Sequence, residues 1–382
     1  MHLVFLNLGS LLLPLWRGTI RCDPGDDKAN WPWVTLTGDN WKHHGEEVAA
    51  ATKYFPSFFY RPPRNPAEKL NSGFKASEWW NYLFGMGPNY FRPYLPKQYW
   101  ENFCRLARKQ KRASMPSTHA SLIQFVEDFE TLYYQRFIER MHFCCPCIHY
   151  CIHAVPETYR MGPLGLISQF TMERTIGNLG EEVRQPSNPF RNLSERCKRR
   201  ACVNALLAMC PELDYTVSTH ARYSVDTGHG YILLHPRDKG KIRRYGRLQL
   251  PNGQIARSLW SETRQANSSH TTRITRNVLV GEINIQNKTP YALVSLYSEC
   301  NEQLLRESHG ACWTGKYTGN NGLKIVEGSK IQSVLSMHPL LHVPGDPPEY
   351  EGLWLTHMIC DFNLLVQSSS KSNLFYSYCP RQ

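Results

Sequence analysis

Apolar residues open the chain. Residues 2–17, HLVFLNLGSLLLPLWR, read as an apolar helix, and residues 22–40 are turn-rich. Helical spacing returns from Trp41 to Thr52, from Phe74 to Phe84 and from Tyr99 to Arg112, with the proline-rich loop 55–70 between the first two. The longest helical pattern runs from Ser117 to Cys151. Its apolar positions (Leu122, Phe125, Val126, Phe129, Leu132, Tyr133, Phe137, Ile138) keep the helical period, and Pro146 splits it into two helices. Asn192 to Met209 is a basic amphipathic helix with Arg196, Lys198, Arg199 and Arg200 on its first half, ended by Pro211. The texture then changes. YILLHP (231–236) and GRLQLPNGQIAR (246–257) read as strands, the second folding at Pro251-Asn252-Gly253 into a hairpin. Residues 261–273 read as linker. Short β-rich runs follow at regular intervals (ITRNVLVGEINI, YALVSLYS, ACWTGKYT, LKIVEG, IQSVLSMHPL) and predict a small barrel or sandwich.

Composition adds a partner class. The 382 residues carry 44 basic and 32 acidic side chains, a net charge of +12, which suits a polyanion, with nucleic acid first. The 13 cysteines are an odd number in a chain far longer than a small disulfide scaffold, which predicts free thiols in a reducing compartment. The apolar start lacks the basic flank and small-residue cleavage site of a secretory leader, and Asn7, Gly9, Ser10 and Pro14 interrupt it as a membrane span. A buried helix is expected there, and no membrane partner.

Two stretches carry candidate chemistry. Within Gly162–Arg184 the apolar segment 164–179 holds one carboxylate, Glu173, among Leu164, Leu166, Ile167, Phe170, Met172, Ile176 and Leu179. It is either the ion-pair partner of Arg174 or a surface arginine, or a metal-binding catalytic acid, and nothing inside the stretch decides. The second is MHFCCPCIHYCIH, residues 141–153. His149 and His153 are four apart and share a helix face, which suits a metal or a polar lining toward a site. The cysteine spacing fits no standard zinc knuckle, and helix-borne core cysteines explain most such clusters. No glycine-rich phosphate loop and no G-x-S-x-G elbow occurs.

A set of ordered blocks resembles a known family. MHLVFLNLGSLLLPLWRGTIRCDP, RPPRNPAEKLNSGFKASEWWNYLFGMGP, LYYQRFIERMHF, PCIHYCIH, GPLGLISQFTMERTIGNLGEEVRQPSNPFRNL, RRACVNALLAM, RLQLPNGQIARSLW and ALVSLYS follow one another over residues 1 to about 340. In this order they resemble the C-terminal half of a CACTA-type DNA transposase of the fungal branch. The resemblance implies an RNase H-like enzyme of the Asp-Asp-Glu class, whose carboxylates hold two Mg²⁺ or Mn²⁺ ions for phosphodiester cleavage and strand transfer. Phe170, Met172, Glu173 and Arg174 match the segment that carries the third acid, so Glu173 is the implied catalytic and metal-binding residue. His149 and His153 match the family's paired histidines. Lys75 and Glu78 match a Lys-x-x-acid block.

The departure matters as much. The second aspartate belongs to a D-x-M-H block, and Met1 and His2 fit its last two positions, so both aspartates would lie upstream. One carboxylate cannot hold two ions in register, and no cleavage is expected. The implied fold is α+β: a largely helical C-terminal part of an RNase H-like domain over 1–214, a linker with short strands over 215–275, a β-rich accessory domain over 276–365 and a tail over 366–382. His2, His149, His153 and Arg174 are expected to line the site, and Arg184, Arg196, Lys198, Arg199 and Arg200 to meet DNA in the nucleus. The missing strands would leave an apolar face that favours self-association. Two further readings stand beside this one: a domesticated, non-enzymatic DNA- or protein-binding module, and a secreted cysteine-containing protein.

Overall fold

The computed structural model describes residues 6–55, 61–70, 73–107, 115–162, 169–182, 187–210, 244–245, 247–250, 255–257, 279–284, 289–331 and 335–357. The fold is mixed α and β, with helices over the first half and small antiparallel sheets after it. The helices are α1 (Leu8–Trp16), α2 (Gly38–Ala50), α3 (Pro66–Lys69), α4 (Ala76–Trp79), α5 (Gly87–Tyr90), α6 (Lys97–Ala107), α7 (Met115–Phe129), α8 (Pro146–His149), α9 (Ala154–Met161), α10 (Phe170–Glu182), α11 (Pro189–Met209) and α12 (Glu302–Glu307). The strands are β1 (Arg244–Tyr245), β2 (Arg247–Gln249), β3 (Ile255–Arg257), β4 (Leu279–Asn284), β5 (Thr289–Ser295), β6 (Thr314–Lys316), β7 (Leu323–Glu327), β8 (Ser336–Pro339) and β9 (Leu353–His357).

α1 is the centre of the core. Leu8, Leu11, Leu12, Leu13, Leu15 and Trp16 are all buried, because a helix apolar on every side can be stable only inside. Pro14 is tolerated within it: the carbonyl its missing N–H would have served belongs to Ser10, the exposed residue of the helix. The Trp16 indole donates to the Tyr133 hydroxyl at 2.9 Å and meets Phe91 and Phe103 at centroid distances of 4.8 and 5.3 Å. Gly9 lies under Trp79, where a Cβ would come within 2.5 Å of the ring. Trp31, Trp33, Tyr99, Phe129 and Phe143 complete this aromatic centre.

The long helical pattern breaks earlier than Pro146. α7 ends in a π-helical turn, Glu130–Tyr134, and Gln135 and Arg136 then take left-handed backbone with φ of 53° and 58°. Phe137 and Ile138, expected in the core, are exposed at 51% and 67%. The reversal brings Arg140 back to Asp26, so a long-range ion pair overrides the local helical period.

The β-rich part divides. β1, β4, β5 and β7 form one antiparallel sheet, β2 and β3 the expected hairpin, with Leu248 opposite Ala256, and β6, β9 and β8 a third sheet. A small cluster of Leu250, Ala256, Ala292, Val294, Val326 and Ile331 holds the first group. Leu304, Ala311, Cys312, Tyr350, Leu353 and Leu355 instead enter the helical core. Asn89 donates to the Pro339 carbonyl at 2.8 Å and accepts from the Leu341 N–H at 2.9 Å. Arg92 pairs with Asp346 at 2.9 Å, both nearly buried, and Ser336 donates to the Tyr54 carbonyl. Residues 276–365 are therefore not one separate β unit. Their second half joins the helical core instead, through the apolar side chains just named and the bonds to Asn89, Arg92 and Tyr54. The YILLHP strand, the 261–273 linker and the 366–382 tail lie outside the described residues.

Candidate functional site

Glu173 stands in the first turn of α10. The segment that places it looks apolar in sequence, but Glu173 is exposed, as are Met172 (55%) and Ile176 (56%), and no described side chain of α10 is buried. Glu173 is thus a solvated carboxylate, and none of the described apolar positions of α10 lies in the core. Among the described residues no group of three or more His, Cys, Asp and Glu side chains stands together. A single exposed carboxylate does not fit a pair of Mg²⁺ or Mn²⁺ ions. His2, Arg184 and the Arg174 side chain lie outside the described residues.

The two histidines are brought together. α8 ends at His149, a single 3₁₀ turn follows, and α9 begins at Ala154. The Nε2 atoms of His149 and His153 lie 3.1 Å apart, the rings 5.0 Å between centroids at 71°, and both are exposed. The face beneath is apolar, with Cys147, Ile148, Cys151 and Val155 buried. Burial pushes the Cys147 thiol up to about 11 and the Cys151 thiol up to about 12, so both stay protonated at neutral pH. None of the described cysteines is in a disulfide.

The basic helix is in place. α11 starts at Pro189, after Asn188 in left-handed backbone, and none of its residues is buried. Arg191, Lys198, Arg199 and Arg200 are exposed and Arg196 is half-buried, bonded to the Asn192 side chain at 3.1 Å. At ~100° per residue these cations spread over about half of the circumference. Arg199, Val203 and Leu206 follow at helical spacing, so a basic half runs into an apolar half on one side. Val203 (48%), Leu206 (50%) and Met209 (80%) leave that apolar surface open, and Phe190 (86%) is exposed at the start of the helix. The three comparisons, with family models, with curated proteins and with solved structures, returned no match.

Several polar groups that resemble site chemistry are structural. Glu78, fully buried, accepts from Arg64 Nε at 2.6 Å and Nη2 at 3.0 Å and from the Lys75 N–H at 2.9 Å. The Lys-x-x-Glu spacing is thus a helix cap clasped by an arginine from the proline-rich loop. Asp26, within the turn-rich stretch 22–40, is nine-tenths buried and paired with Arg140. His44 is wholly buried between the Tyr90 carbonyl at 3.1 Å and the Tyr82 hydroxyl at 2.7 Å. Desolvation lowers it to about 3, so it is a neutral donor to Tyr90 and acceptor from Tyr82. Ser336 and His338 form a buried pair at 3.1 Å, but the serine proton goes to the Tyr54 carbonyl, so the imidazole does not activate it. Sequence gave no sign of the His44 and His338 settings, since each depends on partners tens or hundreds of residues away.

Proposed function

We propose that this chain is the C-terminal portion of a cut-and-paste DNA transposase related to the CACTA type. In this reading it binds DNA through α11 and does not cleave it alone. The observation that carries the binding half is α11: a helix of 21 residues with no buried side chain and a cationic first half, on a chain of net charge +12. An exposed array of arginine and lysine suits phosphate oxygens, which are read without base contacts. The ordered sequence blocks support the family. The expectation of no cleavage rests on Glu173 being exposed, with no group of three or more metal-ligating side chains among the described residues.

Two measurements test the two halves. DNA affinity is followed against salt for the full chain and for a variant with Arg196, Lys198 and Arg199 changed to Ala. Each lost phosphate contact lowers the slope of log K against log salt by about 1, so a drop of about 2–3 is expected. An unchanged slope removes α11 from the interface. In a Mg²⁺-dependent nicking assay the chain is expected to be inactive, and cleavage that Glu173→Ala abolishes would overturn that half. The exposed apolar second half of α11 favours one other reading, a non-enzymatic module that docks protein there. Binding that is insensitive to salt would support it.

A further inference from the structure

We propose that His149 and His153 form a binding site for an imidazole-seeking divalent transition ion of the nickel and zinc class. Two imidazole nitrogens 3.1 Å apart cannot both carry a proton without clashing. Either one proton is shared between them, or both lone pairs turn to a common point. A metal at the usual ~2.0–2.1 Å from each would subtend about 100°, between the ~90° of a cis octahedral pair and the ~109° of a tetrahedral one. The 3.1 Å separation is therefore the bite of a two-histidine chelate.

The platform is rigid. Ile148, Cys147, Cys151 and Val155 anchor the backbone of this stretch in the core, and α9 and the turn before it lie against α7. With the backbone held, only the two exposed rings are left to be ordered when the ion arrives. Of the thiols beside the pair, Cys147 is buried and the buried Cys151 donates its S–H to the Cys147 carbonyl at 3.2 Å, while the partly exposed Cys145 donates to the His142 carbonyl at 3.4 Å and Cys144 is exposed. The Glu157 carboxylate, one turn on, is held by Arg160 at 2.6 Å. Two protein ligands leave the remaining positions facing solvent, open to water or to an anionic oxygen ligand. The site is independent of Glu173 and of the DNA reading.

The test is a Ni²⁺ titration of the untagged full chain by calorimetry. Nickel is chosen because it prefers imidazole over the chain's many thiols. His149→Gln and His153→Gln are compared with the unmutated chain, and His142→Gln, whose imidazole is occupied by the Arg21 carbonyl at 2.8 Å, serves as control. The unmutated chain and the control are expected to bind one Ni²⁺ equivalent that each of the other variants binds at least ~10-fold more weakly, the least that disturbing a metal site usually costs. Matching isotherms for all four would leave only a proton-sharing pair and overturn the proposal. A second readout needs no variant. Paramagnetic Ni²⁺ should broaden the ring signals of two of the 15 histidines first, and uniform broadening would also overturn it.

Discussion

Replacing Asp26 by asparagine should cost this protein a large part of its stability. The Asp26 carboxylate accepts from Arg140 Nε at 2.6 Å and Nη2 at 2.8 Å, from the Trp31 indole at 2.8 Å and from the Asp27 N–H at 2.9 Å. Its side chain is 10% exposed and that of Arg140 is 4%, with the guanidinium 5.4 Å from the Trp33 ring centre and 4.8 Å from that of Phe137. The hydrogen bonds from Arg140, more than any other cause, lower the Asp26 pKa from 3.8 to about 2. At ~1.4 kcal/mol per tenfold change in proton affinity, that is about 2 kcal/mol favouring the folded state. Because the folded value lies below the unfolded one, this contribution is complete above about pH 4 and disappears as pH falls through about 2.

The Asp26→Asn variant loses more than that, because it leaves a guanidinium buried without a counter-charge, a defect worth ~3–5 kcal/mol. Arg140→Met alone leaves the opposite defect. The double variant removes both charges and should recover most of the loss. The assay is urea unfolding of the four proteins at pH 7, giving the coupling energy of the cycle. If Asp26→Asn costs under ~1 kcal/mol, or the two single losses simply add in the double variant, the pair is not the buried pin described here.

Two further outcomes probe the remaining joints. Glu78→Gln should destabilise by ~3 kcal/mol in urea unfolding, since the fully buried carboxylate is the partner of Arg64. Burial alone would raise the Glu78 pKa, but the bonds from Arg64 and Lys75 outweigh it and hold it below the ordinary value. Its stabilisation is therefore present at neutral pH and lost as pH falls through that lowered value, so the gap between Glu78→Gln and the unmutated protein should narrow in acid. Asn89→Ala leaves the Pro339 carbonyl and the Leu341 N–H without their partner, at ~1–3 kcal/mol each. The Leu341 amide should then exchange with deuterium far faster while amides of α1 keep their protection, and unchanged exchange at Leu341 would count against the joint.

The sequence alone placed the elements whose signal is local. The apolar run at the start read as a buried helix, the period after Ser117 as the beginning of another, and the Pro-Asn-Gly turn as a hairpin. The basic run after Asn192 had to be helical and charged. It could not place Glu173, because an apolar neighbourhood in sequence gives burial only when the helix face packs into a core, and no described side chain of α10 is buried. It could not tell Asp26 in a turn from a solvated aspartate, because the arginine that buries it lies 114 residues on. Nor could it join the β-rich tail to the helical half: Arg92 and Asp346 are 254 residues apart, and such pairing leaves no periodic trace along the chain. Local pattern fixes which face of an element is apolar. Only the tertiary structure decides what that face, and each charge beside it, finally touches.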